Sequence, residues 1–109
     1  MNNCYLLGQV YDEPFFKFLY DSTYISASSF TLRTPNNDFI HIIGYDDMAD
    51  YVYRYINMGQ NIFIEGCIKS INNTLFVKIV SIEKIKKKIE TFYNFVSIFR
   101  KILIFNIVY

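Results

Sequence analysis

Residues 39–66 read FIHIIGYDDMADYVYRYINMGQNIFIEG, and this stretch decides the fold. Phe39 to Tyr45 is rich in Ile and aromatic residues, as a buried or half-buried strand is. Asp46 or Asp47 supplies a helix cap, and Asp50 suits the positive first turn. Met48, Ala49, Val52, Tyr53 and Ile56 follow helical spacing on one face. Gly59 stands where a helix stops. Asn61 to Lys69 resumes as a strand, and Thr74 to Glu83 follows it. Ser70-Ile71-Asn72-Asn73 joins these two as a hairpin loop, with Ile62 and Ile64, and Leu75, Val77 and Ile79, on period-two faces.

Upstream the signals are those of strands. Asn3 to Val10 is apolar and breaks at Asp12-Glu13-Pro14. Phe15 to Tyr20 is an aromatic run closed by Asp21-Ser22-Thr23. Tyr24 to Arg33 alternates loosely, and Thr34-Pro35-Asn36-Asn37 is the strongest turn in the chain. Three strands' worth of chain, a helix and two more strands fit an all-β fold with one helix. The expected architecture is a five-stranded OB-fold barrel with the helix between strands 3 and 4. An open sheet covered by one helix is the alternative.

The expected domain is residues 1–83. Residues 84–109 read as a basic and apolar helical extension. Ile85, Ile89, Phe92, Val96, Phe99 and Leu103 form a heptad stripe there, and Lys86, Lys87, Lys88, Arg100 and Lys101 lie off it.

The 109 residues are 52% hydrophobic and 19% charged, which suits one folded domain and excludes a disordered chain. Two Cys and one His are too few for a disulfide scaffold or a structural zinc site. Neither a Gly-rich phosphate loop, nor paired carboxylates, nor a Ser-His spacing stands out, so neither catalysis nor a cofactor is expected. His41 reads as a packed or surface side chain, and Cys4 and Cys67 as thiols on neighbouring strands. The net charge of +1 hides a division. Residues 1–83 hold five basic and nine acidic side chains, a difference of −4; residues 84–109 hold six and one, a difference of +5. No run of about 18 uncharged apolar residues suggests a membrane span.

Two further features carry a family likeness. Asn3 to Val10 followed by Asp12-Glu13-Pro14 resembles the opening strand of bacterial-type single-stranded-DNA-binding proteins, with the Pro one place late. Phe30-Thr31-Leu32, Phe39 to Tyr45, Met48-Ala49, Tyr55-Ile56, Gly59-Gln60 and Ile62-Phe63-Ile64-Glu65-Gly66 are similar to the rest of that family's barrel, in order and spacing. The resemblance covers about residues 2–83. Related replication proteins with the same barrel, such as primosomal protein B, are similar too.

The resemblance implies sequence-independent binding of single-stranded DNA, or RNA, in replication, recombination or repair, by a homo-oligomer. Bases would stack on aromatic rings while cations track the phosphates. The family's stacking positions fall on Phe39 and Tyr45, near Asn73, where there is no ring, and in the Thr34–Asn37 turn, which is shorter than the family's loop. Tyr5, Tyr11, Phe16 and Phe18 are candidates for additional rings. Arg33 and Lys69, beside the turn and the hairpin, are the expected phosphate contacts. Where the resemblance leads one to expect an acidic tail, residues 84–109 read as basic and apolar. A second reading is a degenerate barrel that binds a protein partner through its C-terminal helix. The Ile-, Asn-, Lys-, Phe- and Tyr-rich composition and the lack of a targeting signal suit a plastid-encoded algal protein, with a chloroplast or otherwise cytoplasmic location as the expectation.

Overall fold

The computed structural model describes residues 2–85. The expected helix over 84–109 lies almost wholly outside them. Six strands and one helix follow in order: β1 (Cys4–Val10), β2 (Phe15–Phe18), β3 (Ser26–Arg33), β4 (Phe39–Tyr45), α1 (Asp47–Tyr55), β5 (Asn61–Ile71) and β6 (Thr74–Lys84).

The sheet runs β1-β5-β6-β4-β3-β2 and closes on itself where Gln9 and Val10 of β1 pair with Arg33 and Leu32 of β3. That closure selects the barrel over the open sheet. All pairings are antiparallel except β4–β6, where Ile42 and Ile43 lie beside Val77 and Lys78 in parallel. The barrel's opening strand is interrupted at Tyr11–Pro14, so β1 and β2 are two short segments where the sequence reading counted one strand's worth. Asp12 explains how the break is held: its Oδ1 accepts the Thr31 backbone N–H at 2.7 Å. A side-chain acceptor thus replaces a ladder bond.

Registered partners share a face, and the inward set is continuous around the barrel. Val10 faces Leu32, Phe30 faces Ile42, Ile42 lies beside Val77, and Ile64 faces Leu6 and Ile82. Val10, Phe30, Leu32, Ile42, Ile62, Ile64, Val77 and Ile79 form the core with Val52 and Ile56 from the helix end of the barrel. Each such side chain contributes about 1.5–3 kcal/mol through burial.

The helix departs from its sequence reading in three ways. Asp46 stands at the N-cap but makes no side-chain cap bond. Its Oδ1 instead accepts the backbone N–H groups of Ile25 and Ser26, at 2.8 and 3.2 Å, and so fastens the start of β3. Tyr53 is exposed, while Tyr51 packs against the core. Termination comes from Ile56, which turns extended and sinks its side chain into the core; Gly59, with φ +91°, shapes the next turn. Its N–H bonds Val10 O at 2.8 Å.

The β5–β6 loop is also shorter than expected. The strands pair up to Ile71 and Thr74, leaving only Asn72 and Asn73 as the turn. Both have positive φ, 51° and 65°, the conformation of the hairpin turn that matches strand twist.

Candidate nucleic-acid interface

The outer face of β2, β3 and β4 is built by strand alternation. Going across, Arg33 pairs with Phe39, Thr31 with His41, Ser29 with Ile43, and Ala27 with Tyr45. On the other side of β3, Phe15 pairs with Ser29 and Lys17 with Ala27. The β3 contributions are small (Ala27, Ser29, Thr31), so larger side chains from the flanking strands stand above them. Small residues there give a shallow trough rather than a packed layer.

Two grooves adjoin at His41, one on this surface and one at its edge. The first, ≈ 240 Å³, is lined by Lys17, Ser29, His41, Ile43, Tyr45 and Ile71 among others. The second, ≈ 300 Å³, opens between β4 and the β5–β6 hairpin; it is lined by Phe39, His41, Ile68, Leu75 and Phe76 and by the core-side residues Cys4, Leu6, Ile40 and Val77. His41 belongs to both. No carboxylate lines either groove.

Phe39 is more than half exposed, and its ring meets Tyr11 edge-on at 4.9 Å between centroids. Arg33, its cross-strand neighbour, donates from Nη2 to Gln9 Oε1, which holds the guanidinium beside the ring. At the far end of β4, Tyr45 stacks on Tyr24, with centroids 4.1 Å apart and planes 16° from parallel. Lys78 Nζ donates to Tyr24 Oη at 2.9 Å and locks the stack. Burial, then the neighbouring Tyr24, push the Tyr45 phenol above its ordinary range, against the pull of Lys78. The ring therefore stays neutral at ordinary pH. The bond to Tyr24 raises the Lys78 ammonium, so it stays charged.

Of the four residues singled out from sequence, Phe39, Tyr45 and Arg33 thus lie on one face. Lys69 is exposed on the β5–β6 hairpin opposite Phe76 and lines neither groove. The additional rings divide. Tyr11 borders the face. Phe16 and Phe18 alternate away from it, and Phe16 packs near Tyr53 of the helix at 5.3 Å. Tyr5 lies over Phe63 at 6.2 Å, among the outward residues of β1 and β5.

Sequence reasoning missed Phe15, Lys17, Tyr24, His41 and Lys78 on this face. The signal for Phe15 and Lys17 was present in their alternation with Phe16 and Phe18. Nothing local marks Lys78, whose place follows from the parallel β4–β6 contact.

Asp12 stands at the edge of this face, on the Thr31 backbone N–H, and most other acidic side chains stand elsewhere. Asp47 and Asp50 are in the first helical turn, Asp50 pairing with Arg54 at 3.0 Å. Glu65 and Glu83 face Ser81 and Phe63 in the β5–β6 ladder. Glu13 reaches the Met58 N–H at 3.3 Å. Among the described residues no three His, Cys, Asp or Glu side chains converge on a metal site, and no helix is long and apolar enough to cross a membrane. Cys4 and Cys67 are both free thiols, and burial, then Cys67, push the Cys4 thiol up.

This architecture recurs in solved structures. The chain is similar to the SSB domain of a Synechococcus sp. protein, with TM-score 0.69 and 14% identity over 76% of this chain and 94% of that one. It is similar to the single-stranded DNA binding protein of Thermus aquaticus, with TM-score 0.71 and 13% identity over 81% of this chain and 42% of that one. A small single-stranded DNA-binding protein from Streptomyces coelicolor gives TM-score 0.62 and 14% identity over 77% and 92%. At these identities the likeness is one of fold. No family model and no curated protein matches the sequence.

Proposed function

We propose that the outer face of β2–β3–β4 binds single-stranded DNA without sequence preference, in the service of replication, recombination or repair. One observation carries the reading: this face gathers exposed rings and cations beside two grooves that no carboxylate lines, although acidic residues outnumber basic ones over residues 2–85, nine to six. A stacking surface suits any base, because every base has a π-face, and Phe39 and the Tyr24–Tyr45 pair offer two platforms along one strand. Arg33 and Lys17 supply cations beside them, with Lys69 on the adjacent hairpin. The similar solved structures are an SSB domain and single-stranded DNA-binding proteins, which favours this use of the barrel.

The test is a titration of labelled oligo-dT at low salt, with oligo-rU in parallel. Binding is expected, and Phe39→Ala should weaken it by about 1–3 kcal/mol. A folded protein that leaves both oligomers free would return the barrel to the role of a protein-binding module. A homo-oligomer fits the same reading.

A further inference from the structure

We infer that the outer side of β1 and β5 is the seat of this chain's own C-terminal segment, laid there as a helix with the stripe from Ile85 to Leu103 turned toward the sheet. Cross-strand register builds the seat. Leu7 pairs with Phe63 and Phe63 with Glu83, while Tyr5 pairs with Glu65 and Glu65 with Ser81. Along β5 these positions alternate with the core residues Ile62 and Ile64, so both rows face away from the barrel interior. Tyr5, Leu7 and Phe63 make an apolar strip, the two rings 6.2 Å apart, and Glu65 and Glu83 stand beside it. Leu7 carries the sign of a cover. It is only 7% exposed, yet it points outward and takes no part in the barrel core. Burial that deep on the outer side of a sheet marks a layer above it. The helix α1 is placed otherwise, against β2, β3, β4 and β6.

The course of the chain favours its C-terminal segment as the occupant. Lys84 pairs with Ile62, and the Ile85 N–H donates to Asn61 O at 2.8 Å. The chain therefore leaves the barrel at the rung where Asn61 pairs with Gln9, two residues from Leu7. As a helix, the stripe of Ile85, Ile89, Phe92, Val96, Phe99 and Leu103 would span about 27 Å, enough to run the length of the seven-residue β1, about 20 Å. The charges match as well. Residues 86–109 carry five cations, Lys86, Lys87, Lys88, Arg100 and Lys101, all off the stripe, against one acid, Glu90. The sheet side offers Glu65 and Glu83. An apolar strip edged by acids thus meets an apolar stripe edged by bases, and each buries what the other cannot cover alone.

Amide hydrogen exchange of the full chain tests this, at two protein concentrations about twentyfold apart. Residues 86–103 should exchange on the order of tenfold or more slowly than an unstructured chain, and equally at both concentrations. Phe92→Asp combined with Phe99→Asp leaves the barrel's own residues intact. It should abolish that slowing and shift the amide resonances of Tyr5, Leu7, Phe63 and Glu83, while those of Phe39 to Tyr45 stay in place. Unstructured-chain rates over residues 86–103 of the unsubstituted protein overturn the inference, and so does a shift pattern centred on β2, β3 and β4. Slowing that disappears on dilution overturns it too, and gives this side of the barrel to a second copy of the chain.

Discussion

Asp46 shows how one side chain serves two elements. Its backbone begins the helix, and its carboxylate closes the gap between β3 and β4 by accepting two backbone N–H groups. Those donors would otherwise lack an in-sheet partner, so Asp46→Ala should cost about 1–3 kcal/mol in a urea denaturation, and Asp46→Asn, which keeps an oxygen acceptor, less. Gly66 is constrained from the other side. A Cβ there would lie 2.5 Å from Lys78 O, at the bulge between Glu65 and Gly66 where β5 bends around the barrel. Because the obstacle is backbone, the strand itself must move. Gly66→Ala should lower the urea midpoint by an amount equivalent to about 1–3 kcal/mol. Both side-chain identities are visible in the sequence, but neither role is: Asp46 reads as an ordinary cap, and Gly66 as a family-like position without a reason.

At the scale of elements, alternation and turns do most of the work. Asn72 and Asn73 adopt positive φ with little penalty, and this fixes the β5–β6 register through Ile71 and Thr74. Asn73→Ala should cost about 1 kcal/mol, since alanine pays for the left-handed conformation, and Asn73→Gly should cost nothing or stabilise, as read by thermal unfolding. The hairpin carries Lys69 and Ile71 toward the groove region, so the same turn sets where a ligand would meet it. The helix is a weaker element. Nine residues with an exposed Tyr53 hold through Ala49, Val52 and the Ile56 cap, and its stability comes from packing rather than propensity. Asp50 and Arg54 are both well exposed, so their ion pair adds little.

Across the whole molecule, what matters is where charges sit rather than their sum. The grooves are free of carboxylates while the body is acidic; Lys17 lines one groove, Arg33 stands on the same face and Lys69 lies on the adjacent hairpin, and these are the cations proposed to meet phosphates. Three phosphate contacts to a single strand predict a salt slope of about −2 for the barrel at neutral pH. A chain ending at Ile85 should show that slope in oligo-dT titrations. A steeper slope for the full chain would assign the difference to Lys86, Lys87, Lys88, Arg100 and Lys101.

The strands, the single helix and the strong turn after Arg33 were all determined by the sequence alone. Each follows from local chemistry: period-two hydrophobicity, turn residues and residue type. Tertiary structure decided the rest, because it depends on contacts between distant segments. Closure of β1 on β3, the parallel contact that brings Lys78 to Tyr24, the stack of Tyr24 on Tyr45, and the separation of the grooves from the acids arise only when strands far apart in the chain share a face.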